Sequence, residues 1–316
     1  MTFMWRTVLG VLGGAAFVFL AFVWNPLPLP DARDSLAALV APERITPETL
    51  RAKYESRVPI RILVVPGHDD EFWGTEYKGT READLTLELG KMVRDRFAGD
   101  PRFAVTITRE SGEYKDEFAD HFETFSSLIW EFRDYVRAVF ASAVARGDVV
   151  PVTENYHGFA ASEIVRRLYG INLWANENGV DALLHIHFND YPRARASRPG
   201  RYTGFSIYVP ESQFPNARAS RALANTVKAR LNTALTVSNY PQEKEGVVED
   251  QELIAVGAYG SLYPASLLIE YGYIYEPYFV DKNARAQLFP ALADLTYQGI
   301  VDFFEPPRFN GERNGA

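Results

Sequence analysis

The chain has no cysteine, only three methionines and only five histidines in 316 residues. Without cysteine there is no disulfide, no thiolate metal ligand and no thiol nucleophile. That absence does not fix a compartment, because a chain with 47% hydrophobic residues can bury a core that needs no disulfide. Positive charge is short as well: 33 Lys and Arg face 41 Asp and Glu, a formal net charge of −8. No nucleic-acid partner is expected, since phosphate binding needs a basic surface. Neither sign of charge forms a long block, and there is no internal repeat or low-complexity tract.

One long apolar run is present. Arg6 precedes an uncharged stretch from Thr7 to Trp24, which leaves through "NPLPLP". Its length suits a membrane-spanning helix, for which about 17–25 residues are needed. Phe, Val and Trp crowd its exit, where a signal peptidase would need small residues. Residues 1–30 are therefore expected to be an uncleaved transmembrane anchor. Arg6 favours an N-in orientation, which puts the rest outside the cytoplasm, tied to the cell membrane. Residues 31–57 read as a tether with one short helix near "TPETLRAKYE", and residues 58–310 as one domain.

In that domain apolar runs alternate with amphipathic stretches. "IRILVVP", "FAVTITR", "DALLHIHF", "TGFSIYV" and "ASLLIEYG" are short, branched and turn-bounded, as buried strands are. "TREADLTLELGKMVRDRF" puts Leu85, Leu89, Met92, Val93 and Phe97 on one helical face, with Thr80 as N-cap. Further helices fit "ASEIVRRLYGINLWANENG", Gln213 to Leu235 and Asn283 to Phe304. The expected fold is α/β: a mixed, mostly parallel sheet covered by helices on both faces. A helical insertion at about 110–160 interrupts it, with Phe118, Phe122, Phe125, Ile129, Phe132, Val136 and Val139 at helical spacing. Two readings stay open for it: a packed extension of the core, or a lid over the site.

Chemistry-bearing residues gather at strand ends. His68 stands in "VVPGHDDE", just past the carboxyl end of the first strand, where open α/β sheets bind ligands. Glu82 opens the next helix, a favourable place for a carboxylate. His185 and His187 in "HIHFND" alternate on a strand and so share a face. Two histidines and a carboxylate with one open position form a hydrolytic zinc set. Glu270 lies among Leu267, Leu268 and Ile269, where a carboxylate is costly unless paired or functional.

In this order the segments resemble the zinc-dependent N-acetylmuramoyl-L-alanine amidases of bacterial cell walls. The carriers are "VVPGHDD", "READLTLELG", "TITR", "RRLYGINLWANENGVDALLHIHFN" and "LLIEYGY", in register from about Ile60 to Phe304. The resemblance implies that His68, Glu82 and His187 bind Zn2+ and that Glu270 is the general base. His187 matches the family histidine because Phe188-Asn189 follows it as Ala-Asn follows the family's; His185 stands where the family often has serine. Arg109, Asn176 and Asn189 then support the site. The implied reaction cuts the amide between the muramyl lactyl group and L-alanine. Peptidoglycan or a muropeptide is the implied substrate, and a regulatory protein acting on the insertion is a further partner.

Three other readings compete. "GHDDE" is similar to the "HPDDE" loop of PIG-L-type N-acetylglucosamine deacetylases, with His68 and Glu71 as ligands and Asp70 as base. His68 and Glu71 with a later histidine resemble a zinc carboxypeptidase set. An inactive, anchored glycan-binding relative is the non-enzymatic alternative.

Overall fold

The computed structural model describes residues 45–152, 160–256, 260 and 263–306. The Thr7 to Trp24 run lies outside them, and among the described residues no helix is long and apolar enough to cross a membrane.

The elements follow in the order α1 (Pro47–Glu55), β1 (Ile60–Pro66), β2 (Glu76–Tyr77), β3 (Thr80–Arg81), α2 (Glu82–Ala98), β4 (Phe103–Ile107), α3 (Asp116–Thr124) and α4 (Ser126–Arg146). Then come α5 (Ser162–Glu177), β5 (Ala182–Asn189), β6 (Ser206–Pro210), α6 (Ala217–Leu231), β7 (Val247–Asp250), β8 (Ala265–Tyr273), α7 (Pro277–Val280) and α8 (Lys282–Phe304). Six strands form one sheet in the order β4-β1-β5-β8-β6-β7. The first four run parallel; β6 is antiparallel to β8 and parallel to β7. The sheet is thus mixed and mostly parallel, as expected.

Strand alternation divides the core. Ile62, Val64, Leu184, Ile186, Leu267 and Ile269 pack with Leu85, Leu89 and Val93 of α2 and with residues of α6 and α8. Leu63, Val65 and Leu183 point the other way, onto a second cluster. That cluster contains Phe118, Phe122, Ile129, Phe132 and Val136 of the insertion, packed with Tyr169, Ile171 and Trp174 of α5. The apolar stripe is therefore core, and its burial is what holds α3 and α4 in place. Phe125 stands between α3 and α4, out of the buried stripe, and is 44% exposed.

One local expectation is corrected. The N-cap of α2 is Arg81 rather than Thr80, which sits in the small β2–β3 hairpin. The free helix N–H groups are met instead by the chain before the hairpin: Glu82 N–H donates to Thr75 O and Ala83 N–H to Trp73 O. The short helix in the 31–57 stretch is docked on the body, with Leu50 buried and Lys53 paired to Asp181 at 2.6 Å. β7, "VVED", is too short and acidic at its end for the alternation test to find.

Candidate metal centre

β1 ends at Pro66 and the chain turns sharply through Gly67 and His68. His68 has φ 62°, a left-handed conformation costly for a side chain and concentrated at functional sites. Gly67 is required here, because a Cβ on it would lie 2.3 Å from the His187 ring. Gly74, with φ 73°, is required on the other side: its Cβ would lie 2.5 Å from Glu82 Oε2 and 2.6 Å from the His68 ring. The two glycines let the backbone close around three side chains. Gly74→Ala is expected to cost about 1–3 kcal/mol of stability and to weaken metal binding, read by thermal melts with and without metal.

The three side chains meet. His68 Nε2 is 3.1 Å from Glu82 Oε2, and His187 Nδ1 is 3.0 Å from Glu82 Oε1. One potential ligand atom from each lies within 4.8 Å of the others. Zinc bonds of about 2.0–2.2 Å in a tetrahedron put ligand atoms about 3.4 Å apart, so this spacing and donor set suit such an ion. Glu82 comes from the first turn of α2 and also accepts from the backbone N–H groups of Thr75 and Phe188. Burial opposes its charge, but the two histidines hold its carboxyl well below the usual range. Burial likewise works against protonated His68, yet the Glu82 charge and hydrogen bond outweigh it and raise its pKa. For His187 burial wins and lowers it.

Arg109 anchors this loop. Its guanidinium is fully buried and donates to the carbonyls of Pro66, Gly67, Ala83 and Ser111 and to the Thr86 hydroxyl. It thereby ties the end of β1 to the first turn of α2. Asn189 Nδ2 donates to Glu243, whereas Asn176 Nδ2 donates to Gly260 O.

Glu270 is the strand partner of His187 and 8% exposed, with Oε2 lacking a hydrogen-bond partner among the described residues. Burial, then the charges of Glu82 and Glu243, push its pKa well above the ordinary value. Glu243 is the residue that motif reading missed. It is 1% exposed and accepts from Asn189 Nδ2, Tyr208 OH and Tyr273 OH. Nothing in "PQEKEGVV" marks it, since only the fold turns this loop acid inward.

The competing sets are not assembled. Glu71 pairs with Arg167, its side chain 61% exposed, and Asp70 is 55% exposed near Arg81. Asp69 is buried, accepts from the backbone N–H groups of Glu71 and Phe72, and pairs with Arg167. His185 is not part of this cluster: its ring centroid is 6.4 Å from that of His187, and neither of its nitrogens is hydrogen-bonded among the described residues. Burial with His187 beside it pushes its pKa down to about 3.

Two imidazoles and a carboxylate at the carboxyl edge of a parallel sheet, beside a buried glutamate, have the make-up of a metal-dependent hydrolase site. The sequence profile of the N-acetylmuramoyl-L-alanine amidases matches residues 62–302, and the chain belongs to that family. It is an enzyme of bacterial cell-wall chemistry, cleaving the amide between N-acetylmuramic acid and L-alanine in peptidoglycan. Among solved structures, it is similar to the CwlD amidase of Clostridioides difficile in complex with the GerS lipoprotein. The two share 14% identity over 78% of this chain and 100% of that one, with a TM-score of 0.51, a likeness of fold. An N-acetylmuramoyl-L-alanine amidase of Clostridium difficile 630 matches at 16% identity over 79% and 99% of the two chains, TM-score 0.48. The catalytic domain of CwlV from Bacillus (Paenibacillus) polymyxa var. colistinus matches at 14% over 78% and 99%, TM-score 0.48. A comparison with curated proteins finds no match.

Proposed function

We propose that His68, Glu82 and His187 hold a Zn2+ ion and that Glu270 is the general base of amide hydrolysis. The observation that carries this is the meeting of the three donor atoms within 4.8 Å at the strand position that pairs with Glu270. The bound ion supplies positive charge that polarises the scissile carbonyl and acidifies water. Glu270 Oε2, buried and unpartnered, takes the proton of the attacking water and delivers it to the leaving alanyl nitrogen. Gly67, Gly74 and Arg109 keep the ligand loop closed while this happens. The test is hydrolysis of three substrates by metal-loaded protein: a muropeptide, an N-acetylglucosamine oligomer and a peptide. Cleavage confined to the muropeptide supports the assignment, and deacetylation of the oligomer would overturn it.

The acid side of the activity profile should follow Glu270. Its raised pKa means that the base form is lost at a higher pH than for an ordinary carboxylate. Removing the Glu243 charge favours ionised Glu270, so Glu243→Gln should move the acid limb to lower pH. A pH profile of kcat checks the sign.

The remaining proposals concern placement. The substrate lies outside the cytoplasm, and the Thr7 to Trp24 run serves there as a membrane anchor for a domain spanning 58–310, checked by membrane fractionation. The lipoprotein bound to the CwlD amidase supports a regulatory partner for this chain too, acting on the insertion at about 110–160. Co-purification of the parent and of charge reversals on the exposed face of α4, Glu131→Lys and Asp134→Lys, tests that.

A further inference from the structure

Beside the metal-ligand rings lies a cavity of about 100 Å³. His68 and His187 are on its wall; most of the remaining lining is apolar, with Val65, Phe72, Ile164, Leu168 and Ile171, joined by the Tyr114 phenol. His185 faces into it, 1% exposed, with neither ring nitrogen hydrogen-bonded among the described residues. A neutral imidazole offers one donor and one acceptor, and leaving both unmet in an apolar pocket is costly. Something with a polar atom belongs there. Asp69 and Arg167 on its wall pair with each other at 2.6 Å, so neither is left over to draw a charged occupant, and a neutral one fits best. A liquid water takes about 30 Å³ and a six-carbon ring fits about 150 Å³, so the room is for about four heavy atoms.

The cavity also has a side. Val65 of β1 pairs with His185 of β5, while Glu270 of β8 pairs with His187. The base thus lies over one flank of β5 and the cavity over the other. A group entering it sits next to the amide under attack, on the flank away from Glu270.

The geometry points to a specificity subsite for a compact methyl-plus-carbonyl group of the substrate, hydrogen-bonded by His185. This rests on the amidase reading above. Besides the lactyl group, whose carbonyl is the one attacked, N-acetylmuramoyl-L-alanine carries two such groups near the scissile bond: the acetamido group of the sugar and the alanyl residue.

Binding to metal-loaded Glu270→Gln, which holds substrate without turning it over, separates them. Three ligands are titrated by calorimetry: an intact muropeptide, one lacking the acetamido group and one with glycine for L-alanine. The subsite predicts that one clipped ligand binds more weakly: about tenfold for the missing acetamido group, a hydrogen bond with its packing, or about fourfold for glycine, the packing of one methyl. His185→Leu, which keeps bulk, and Ile164→Phe, which fills the cavity from α5, should each weaken the intact ligand about as much. Neither should weaken further the ligand without the acetamido group if that group is the occupant; with glycine for L-alanine, which keeps its carbonyl, only the Ile164→Phe loss should shrink. Equal affinity for all three ligands, or no loss in either variant, means that the cavity holds only water and overturns the proposal. Loss of metal in His185→Leu overturns it too, by making His185 part of the metal site. If metal-loaded protein fails to bind even the intact muropeptide, the amidase reading of the site fails first and the subsite with it.

Discussion

Glu270→Gln is expected to keep its metal and its fold and to lose hydrolysis by about 10²–10⁴-fold, the usual worth of a positioned base. The amide is nearly isosteric with the acid, so packing among the β8 neighbours survives. Removing a buried carboxylate that burial and two neighbouring acids disfavour should leave stability unchanged or raise it. That combination, more stable and inactive with metal in place, is what a residue retained for chemistry shows. A merely structural glutamate would lose stability and activity together. Near-normal turnover would remove Glu270 from the mechanism.

The second large effect separates two histidines on one strand. His187→Ala takes away a nitrogen 3.0 Å from Glu82 and should lower metal affinity by ~10²-fold or more. His185→Ala takes away a ring outside that cluster and should lower it by less than about tenfold. Equilibrium competition with a chelator reads both. Equal losses would place both histidines at the metal and contradict the geometry. The metal-free His187→Ala protein should still fold, because the ring is part-buried at the sheet edge rather than inside either core cluster.

Much of this was legible before any coordinates. Period-two apolar strands and period-3.6 helices each leave a direct mark in sequence, and β1, β4, β5, β6 and β8 fell where their apolar runs lie. The strand position of His187 and the helix-opening position of Glu82 were legible for the same reason. Thr80 was misread because the capping rule sees only side chains, and α2 is capped by the carbonyls of Trp73 and Thr75. The insertion left lid and core open, because an apolar stripe states that a face is buried and not against what. The position of Val65 and Leu183 beneath it decides that. Glu243 and the environment of His185 were not legible at all, since both depend on which loop and which helix come to cover the sheet.

Metal-dependent cleavage at one bond is what the site must show above all. Purified protein stripped with a chelator should release no L-alanyl amino terminus from a muropeptide. One equivalent of zinc should restore the release, and His187→Ala should not respond to the same addition. Cleavage that persists after the metal has been removed, or a parent protein that takes up no zinc, would contradict the assignment of His68, Glu82 and His187 as its metal site.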